Sequence, residues 1–221
     1  MTSINLELVD DDYEKRMDLA KMDCDKGDGD AAACHSVATF ISAVKQDRKT
    51  AAQIFDKNCN QNNYAPSCFH LGRVFLTGAG VEMNDRMASE AFEKSCQSGH
   101  NQACNHLGIM LFGGSPGPNG IEANVERAVK LMDKSCKKGA VESCYHLGSQ
   151  FLKKSGGKLK RDVVRARNLF EEGCAQGNGP SCFNLAVMYK NGDEGVESDP
   201  KKFEKYSKLT QEMVELQGGM K

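Results

Sequence analysis

The sequence lacks tryptophan, long apolar runs and a marked excess of either charge. No apolar run approaches the roughly 20 residues that a membrane-spanning helix requires. The chain has 29 basic and 30 acidic residues, and no basic stripe indicates a nucleic-acid partner. The composition therefore predicts a protein without a membrane span and without a nucleic-acid-binding face.

Signals for export and for catalysis are also missing. Residues 1–12 are acidic and have no apolar core, unlike a secretory signal, and they lack the arginines of a mitochondrial matrix-targeting segment. The sequence contains no nucleophile elbow, phosphate-binding loop or His-Glu-x-x-His motif. We therefore predict no catalytic residue and favour a non-enzymatic protein, while an enzymatic activity stays open.

What the sequence does have is ten cysteines, which fall into five pairs with none left over. The pairs are Cys24 and Cys34, Cys59 and Cys68, Cys96 and Cys104, Cys136 and Cys144, and Cys174 and Cys182. The second cysteines follow one another at intervals of 34, 36, 40 and 38 residues. Repeats of this length are typical of solenoids, whose units bury their apolar faces only by stacking.

Each repeat shows the periodicity of two amphipathic helices. A short helix is predicted to run from the second cysteine past a Leu-Gly pair, and a longer helix leads into the next cysteine. The longer helix has a small residue eight positions before its cysteine and a large apolar residue four positions before it, which forms one helical stripe. These residues are Ala51, Ala88, Ala128 and Ala166, and Phe55, Phe92, Met132 and Phe170.

The predicted fold is an all-α, right-handed αα superhelical solenoid of five helix pairs. Residues 1–32 are expected to form an acidic segment and a capping helix, and residues 218–221 a tail. The five repeats are expected at residues 33–66, 67–102, 103–142, 143–180 and 181–217. Stacked helix pairs leave one concave wall, which repeat proteins use for protein recognition.

We interpret the cysteine pairs as disulfides that staple the turn between consecutive helices. Such a turn can bring the two Cα atoms within the ~4.4–6.8 Å that a disulfide requires. Reduced core cysteines, a redox activity and metal ligation are the alternatives. Zinc is disfavoured at Cys68-x-His70 and its copies because positions i and i+2 of a helix point in nearly opposite directions, so no metal site is predicted.

Three histidines occupy the same register, two residues after a second cysteine: His70, His106 and His146. Stacking of the repeats should place them in a row. We interpret them as polar residues between neighbouring short helices, hydrogen-bonded to an adjacent turn. The alternative is that they bind haem, since imidazole is a common axial ligand; no other cofactor is predicted.

The phrases Cys-x-x-Leu-Gly, Gly-x-Gly-Val and Ala-x-x-x-Phe-x-x-x-Cys-x-x-Gly resemble the Sel-1-like repeat, a relative of the tetratricopeptide repeat. Residues 77–81 and 88–92 are the clearest copy, whereas Leu185-Ala186 departs from Leu-Gly. The cysteines narrow the resemblance to two groups. One is the secreted bacterial cysteine-rich repeat proteins, and the other, which this chain resembles more, is the cytochrome c oxidase assembly factor seven group of the mitochondrial intermembrane space.

This resemblance implies a monomeric, non-enzymatic scaffold that binds a protein on its concave face and assists respiratory-complex assembly in the intermembrane space. Disulfides persist mainly in oxidising compartments, which suits that location. Haem binding or a thiol-disulfide reductase activity in the same pathway, with Cys24 and Cys34 as the candidate pair, is one alternative. A secreted or periplasmic bacterial protein with weak β-lactam affinity is the other.

Overall fold

The structure is a computed structural model that describes residues 11–26, 30–154 and 156–218. Within these ranges the regular secondary structure is helical, apart from one isolated bridge between Asp193 and Val196. The helices are α1 (Asp11–Asp25), α2 (Ala31–Ala43), α3 (Arg48–Asn62), α4 (Ala65–Thr77), α5 (Asp85–Gln97), α6 (Asn101–Gly113), α7 (Val125–Lys137), α8 (Val141–Leu152), α9 (Val163–Ala175), α10 (Gly179–Asn191) and α11 (Pro200–Gly218). None of the described helices is both long and apolar enough to cross a membrane.

The longer helix of each repeat begins at a polar capping residue. Asp47, Asn84, Asn124 and Asp162 each accept a hydrogen bond from a backbone N–H in the first turn of α3, α5, α7 or α9. These side chains satisfy donors that the first turn of a helix leaves without an intrahelical partner. The caps therefore fix where each longer helix starts.

The short helices α4, α6, α8 and α10 begin two residues before the starts that the sequence predicted beside the second cysteines, which are Ser67, Ala103, Ser143 and Ser181. α4 starts at Ala65 and α10 at Gly179, so Pro66 and Pro180 lie in the first turn. Proline is tolerated there because its missing N–H has no partner inside the helix in any case. The predicted repeat boundaries would shift accordingly, and the five-repeat division stays a prediction.

The glycine of the Leu-Gly pair lies in close contact with the large apolar residue of the following longer helix. A Cβ added to Gly72 would lie 2.7 Å from the Phe92 ring, and one added to Gly148 would lie 2.8 Å from the Phe170 ring. At Gly108 the same position would meet Met132 Cγ at 2.5 Å. Only glycine leaves room for the large residue of the next helix, which explains why the two sequence features recur together.

The described residues form two compact units. The first comprises residues up to 103 together with 115–122, and the second comprises 104–114 and residues from 123 onward. The core of the first unit contains Ala38, Ala51, Phe55, Cys59, Cys68, Leu71 and Ala91. The core of the second extends from Met132 to Val196, with Phe151 and Phe170 among its buried side chains.

The first and last helices differ from those between them. α1 is bonded to α2 through Cys24 and Cys34, and the Tyr13 ring meets the edge of Phe40 at 5.6 Å between centroids. α11 has no cysteine and packs on α10, where the Tyr206 ring stacks on Tyr189. The order of the described helices confirms the predicted all-helical solenoid of helix pairs, and its right-handedness stays a prediction.

Candidate functional site

Disulfides occur at the turns at which the sequence predicted them. Four bonds join Cys24 to Cys34, Cys59 to Cys68, Cys136 to Cys144, and Cys174 to Cys182, with Cα separations of 4.7 to 4.9 Å. Cys96 and Cys104 are disulfide-bonded as well. All ten cysteines lie in the described ranges and none is free, so the reduced-cysteine alternative is wrong. Among the described residues, no three His, Cys, Asp or Glu side chains are grouped to hold a metal ion.

A pair of buried polar or small residues lies beside these bonds. These residues immediately precede the first and the second cysteine of the pair. Asn58 Nδ2 donates to Ser67 Oγ at 2.7 Å, next to the bond between Cys59 and Cys68. Ser135 Oγ and Ser143 Oγ lie 2.7 Å apart in the equivalent place of the second unit. The sequence reasoning missed this pairing, although the recurrent small or polar residue before each cysteine was its signal.

In the first unit, imidazole and phenyl rings fill the surface beside the short helix α4. His70 stacks on Phe55 with 5.1 Å between ring centroids, and it meets His35 edge to face at 5.0 Å. His100 stacks on Phe69 at 4.5 Å. We call His35, His70 and His100 the histidine cluster; the sequence reasoning singled out only His70.

Within the histidine cluster, His35 makes the hydrogen bond that was expected of His70. His35 Nδ1 lies 3.0 Å from Ser67 Oγ, in the neighbouring turn. His70 is held by its ring contacts instead, because its side chain points between Phe55 and His35. The hydrogen bond of His70 to a neighbouring turn stays a prediction, whereas His35 does make such a bond.

Burial keeps the histidine cluster neutral. The pKa of His70 is lowered from 6.5 to about 4, mainly by burial and further by His35 and His100 in their protonated forms and by the positive charge of Arg73. Burial also lowers the pKa of His35 and of His100. Protonation of this cluster therefore opposes the packing that holds its rings together.

The other two histidines of the predicted row belong to the second unit. His106 lies on α6 and His146 on α8, and both side chains are half-buried. The pKa of His146 is lowered by burial, partly offset by the nearby carboxylate of Glu142. The assignment of His70, His106 and His146 as haem ligands, like their arrangement in a row, stays a prediction.

The second unit contains a cleft of about 330 Å³ where α6 and α8 end. It is lined by Ile109, Phe112 and Gly113 of α6, Met132 of α7, His146 and Gln150 of α8, and Lys153, Gly156 and Lys158 from the segment that follows α8. Phe112 and Met132 are almost fully buried and form an apolar floor. Lys153 and Lys158 are exposed and give the cleft a basic rim.

Gln150 is the polar side chain in this cleft that the repeat pattern does not explain. Its Oε1 is buried and accepts no hydrogen bond from the described residues. At the same distance after the second cysteine, the other repeats have apolar residues: Phe40, Val74, Met110 and Met188. The sequence reasoning missed Gln150, although its departure from this register was visible.

A smaller cleft of about 180 Å³ borders the bond between Cys24 and Cys34 in the first unit. Lys21, Lys26 and Lys57 are among its lining residues. Cys24 is half-buried and Cys34 is 6% exposed. The reductase assignment of this pair is not tested by its position beside a cleft and stays a prediction.

Comparison with known protein families gives a match along much of the chain. Residues 65–100, 101–139, 141–178 and 179–202 match the model of the Sel1 repeat, which covers more than half of the sequence. The matched segments begin at or next to the first residues of α4, α6, α8 and α10. The repeat unit of this model therefore coincides with the helix pairs of the structure.

Individual proteins resemble the chain over shorter stretches. Cytochrome c oxidase assembly factor 7 of Xenopus tropicalis is 32% identical over 85 residues, or 37% of each chain. The cytochrome c oxidase assembly factor 7 homolog of Drosophila melanogaster is 30% identical over 82 residues, or 36% of this chain and 31% of the relative. The alignments thus span about a third of the length of these curated relatives.

Among solved structures, a Sel1 repeat protein from Oxalobacter formigenes superposes with a TM-score of 0.74. The match covers 94% of this chain and 84% of that protein, at 20% sequence identity. At this identity the likeness establishes the fold alone.

Proposed function

Because the chain belongs to the Sel1 repeat family, we propose that it is a non-enzymatic scaffold that binds another protein. In repeat proteins, stacked helix pairs form surfaces that extend over several repeats and are used for recognition. The disulfides at the turns stabilise that surface because they restrict the unfolded chain. A rigid surface loses little conformational freedom when a partner binds to it.

We place this scaffold in the assembly of cytochrome c oxidase. The observation that carries this assignment is the similarity to the assembly factor 7 proteins of Xenopus tropicalis and Drosophila melanogaster. The five disulfides support an oxidising location, and the mitochondrial intermembrane space is the compartment proposed. The monomeric state and a concave binding face belong to the same proposal.

Protease protection and thiol labelling test the compartment together. In mitochondria from cells that express the tagged protein, we expect protection from protease until the outer membrane is ruptured. Alkylation of the unreduced protein should leave all ten cysteines unlabelled. Recovery in the cytosol with free thiols would reject the proposal, and recovery from the medium would favour a secreted protein instead.

The assembly role is tested by removing the protein. Assembled cytochrome c oxidase should decrease in cells that lack it and recover when the native chain is returned. A cysteine variant that lacks the bond between Cys136 and Cys144 should restore less, because it accumulates to a lower level. An unchanged amount of the assembled enzyme would reject this role. The scaffold function would then be tested by capturing the proteins that bind to the chain.

A further inference from the structure

We propose that the cleft of the second unit binds an extended acidic segment of a protein partner, in which an apolar side chain lies next to a carboxylate. This inference rests on the proposed scaffold function and specifies one surface and one chemistry for it. Three features of the cleft carry it: the apolar floor, the basic rim and the unpaired oxygen of Gln150.

The floor suits an apolar side chain. Phe112 is 9% exposed and Met132 1% exposed, whereas Ile109 at the edge remains 40% exposed. The cleft volume of about 330 Å³ is at the lower end for ligand sites. It therefore has room for a few side chains of a peptide, and the exposed part of Ile109 would be covered when they bind.

The rim suits a carboxylate. Lys153 and Lys158 are exposed, and none of the described residues that line the cleft is acidic. Lys158 Nζ donates to the carbonyl oxygen of Gly113 at 2.8 Å, which holds the ammonium at the end of α6. An ammonium group has three donors, so this contact leaves two for an incoming carboxylate.

Gln150 distinguishes a peptide from a simple acid. Its buried Oε1 requires a hydrogen-bond donor. A carboxylate or an acyl chain has none, whereas every peptide residue except proline supplies a backbone N–H. A buried polar atom without a partner destabilises the protein, and all four register-equivalent residues are apolar. Rotation about the soft terminal torsion of Gln150 turns this oxygen toward the cleft, where an N–H donor supplied by a partner accounts for the glutamine at this position.

The probe is a random dodecapeptide library displayed on phage, selected in parallel on the native protein and on the Lys158→Glu variant. We expect the native protein to enrich peptides in which Asp or Glu adjoins Leu, Ile, Phe or Met. Synthetic peptides from this selection should bind Lys158→Glu about tenfold or more weakly, the loss expected for a charge-assisted contact. Lys160→Glu changes net charge equally at an exposed residue outside the lining and should weaken binding much less.

Gln150→Met tests the amide separately from the charge. It introduces the residue of the α6 and α10 repeats, and we expect severalfold weaker peptide binding. Equal binding to Gln150→Met and the native protein would overturn the role given to the amide, and displacement of the peptide by decanoate would favour an acyl ligand. Enrichment of basic peptides, or no enrichment over Lys158→Glu, would overturn the proposal as a whole.

Capture of crosslinked partners from cells separates this proposal from the scaffold function. If Lys158→Glu captures the same partners as the native protein, the cleft proposal fails while the scaffold function stands. If neither protein captures any partner, the scaffold function fails as well. Loss of a partner from Lys158→Glu but not from Lys160→Glu, together with the peptide selection, supports both.

Discussion

His70 in the first unit and His146 in the second occupy the same position of their repeats, yet their surroundings differ. His70 stacks on Phe55, which lies four residues before the first cysteine, and touches His35 of the preceding repeat. At the corresponding sequence positions for His146 are Met132 and Asn105. Two rings thus contact His70, whereas the residues at the corresponding sequence positions for His146 carry a thioether and an amide.

A cleft lies beside His146, whereas a packed cluster of rings lies beside His70. Met132 lines the cleft together with His146, whereas Phe55 covers a ring face of His70. The repeated residues determine the helix pairs in both units, and the residues that depart from the repeat determine what each surface can bind. This comparison assigns stability to the histidine cluster and recognition to the cleft.

The largest effect is expected where the two units are alike. Replacing Cys59 and Cys68 by alanine, or Cys136 and Cys144 by alanine, should lower the free energy of unfolding by about 2.5–3 kcal/mol each, since the closed loops are of nearly equal length. Urea unfolding followed by circular dichroism measures both losses. If the free energy of unfolding fell more than twice as much for one variant as for the other, the two units would not be equivalent parts of one scaffold.

Acid should destabilise the histidine cluster of the first unit more than the surroundings of His146 in the second. The folded protein lowers the pKa of His70 to about 4, so the unfolded chain binds its proton more readily between pH 6.5 and 4. The contribution of His70 to stability is therefore complete above pH 6.5 and is lost as the pH falls toward 4. Allowing for partial exposure of the ring, we expect a loss of about 2 kcal/mol.

The matched variants for this test are His70→Asn and His146→Asn, since the last repeat has Asn184 at this position. Unfolding by urea at a series of pH values, compared with the native protein, isolates each histidine from the carboxylates. We expect His70→Asn to remove more of the pH dependence than His146→Asn does. Equal effects would mean that the packed cluster and the cleft impose the same cost of protonation.

Features set by the repeat could be predicted from the sequence, and features set by contacts between repeats could not. The cysteine spacing predicted the disulfides, and the stripe of small and large apolar residues before each cysteine predicted the longer helices α3, α5, α7 and α9. His35 was missed because it lies one residue out of register with His70, and only the packing of α2 against α4 brings the two rings together. Gln150 was missed because its importance lies in an unpaired oxygen, which no spacing reveals.

The smallest effect, and the one that sharpens the comparison most, is a gain in stability from Gln150→Met. This substitution removes a buried oxygen without a partner among the described residues and restores the apolar side chain found at this register elsewhere. We expect the free energy of unfolding to rise by about 1–2 kcal/mol, measured in urea without any peptide.

The reciprocal control is Val74→Gln, which places the same amide at the equivalent position of the first unit. It should lower the free energy of unfolding, because Val74 packs against the core there. A gain at residue 150 combined with a loss at residue 74 would show that the glutamine is retained at a cost to stability, as a binding residue is. A loss at residue 150 would instead make Gln150 a structural residue and remove the amide from the recognition chemistry of the cleft.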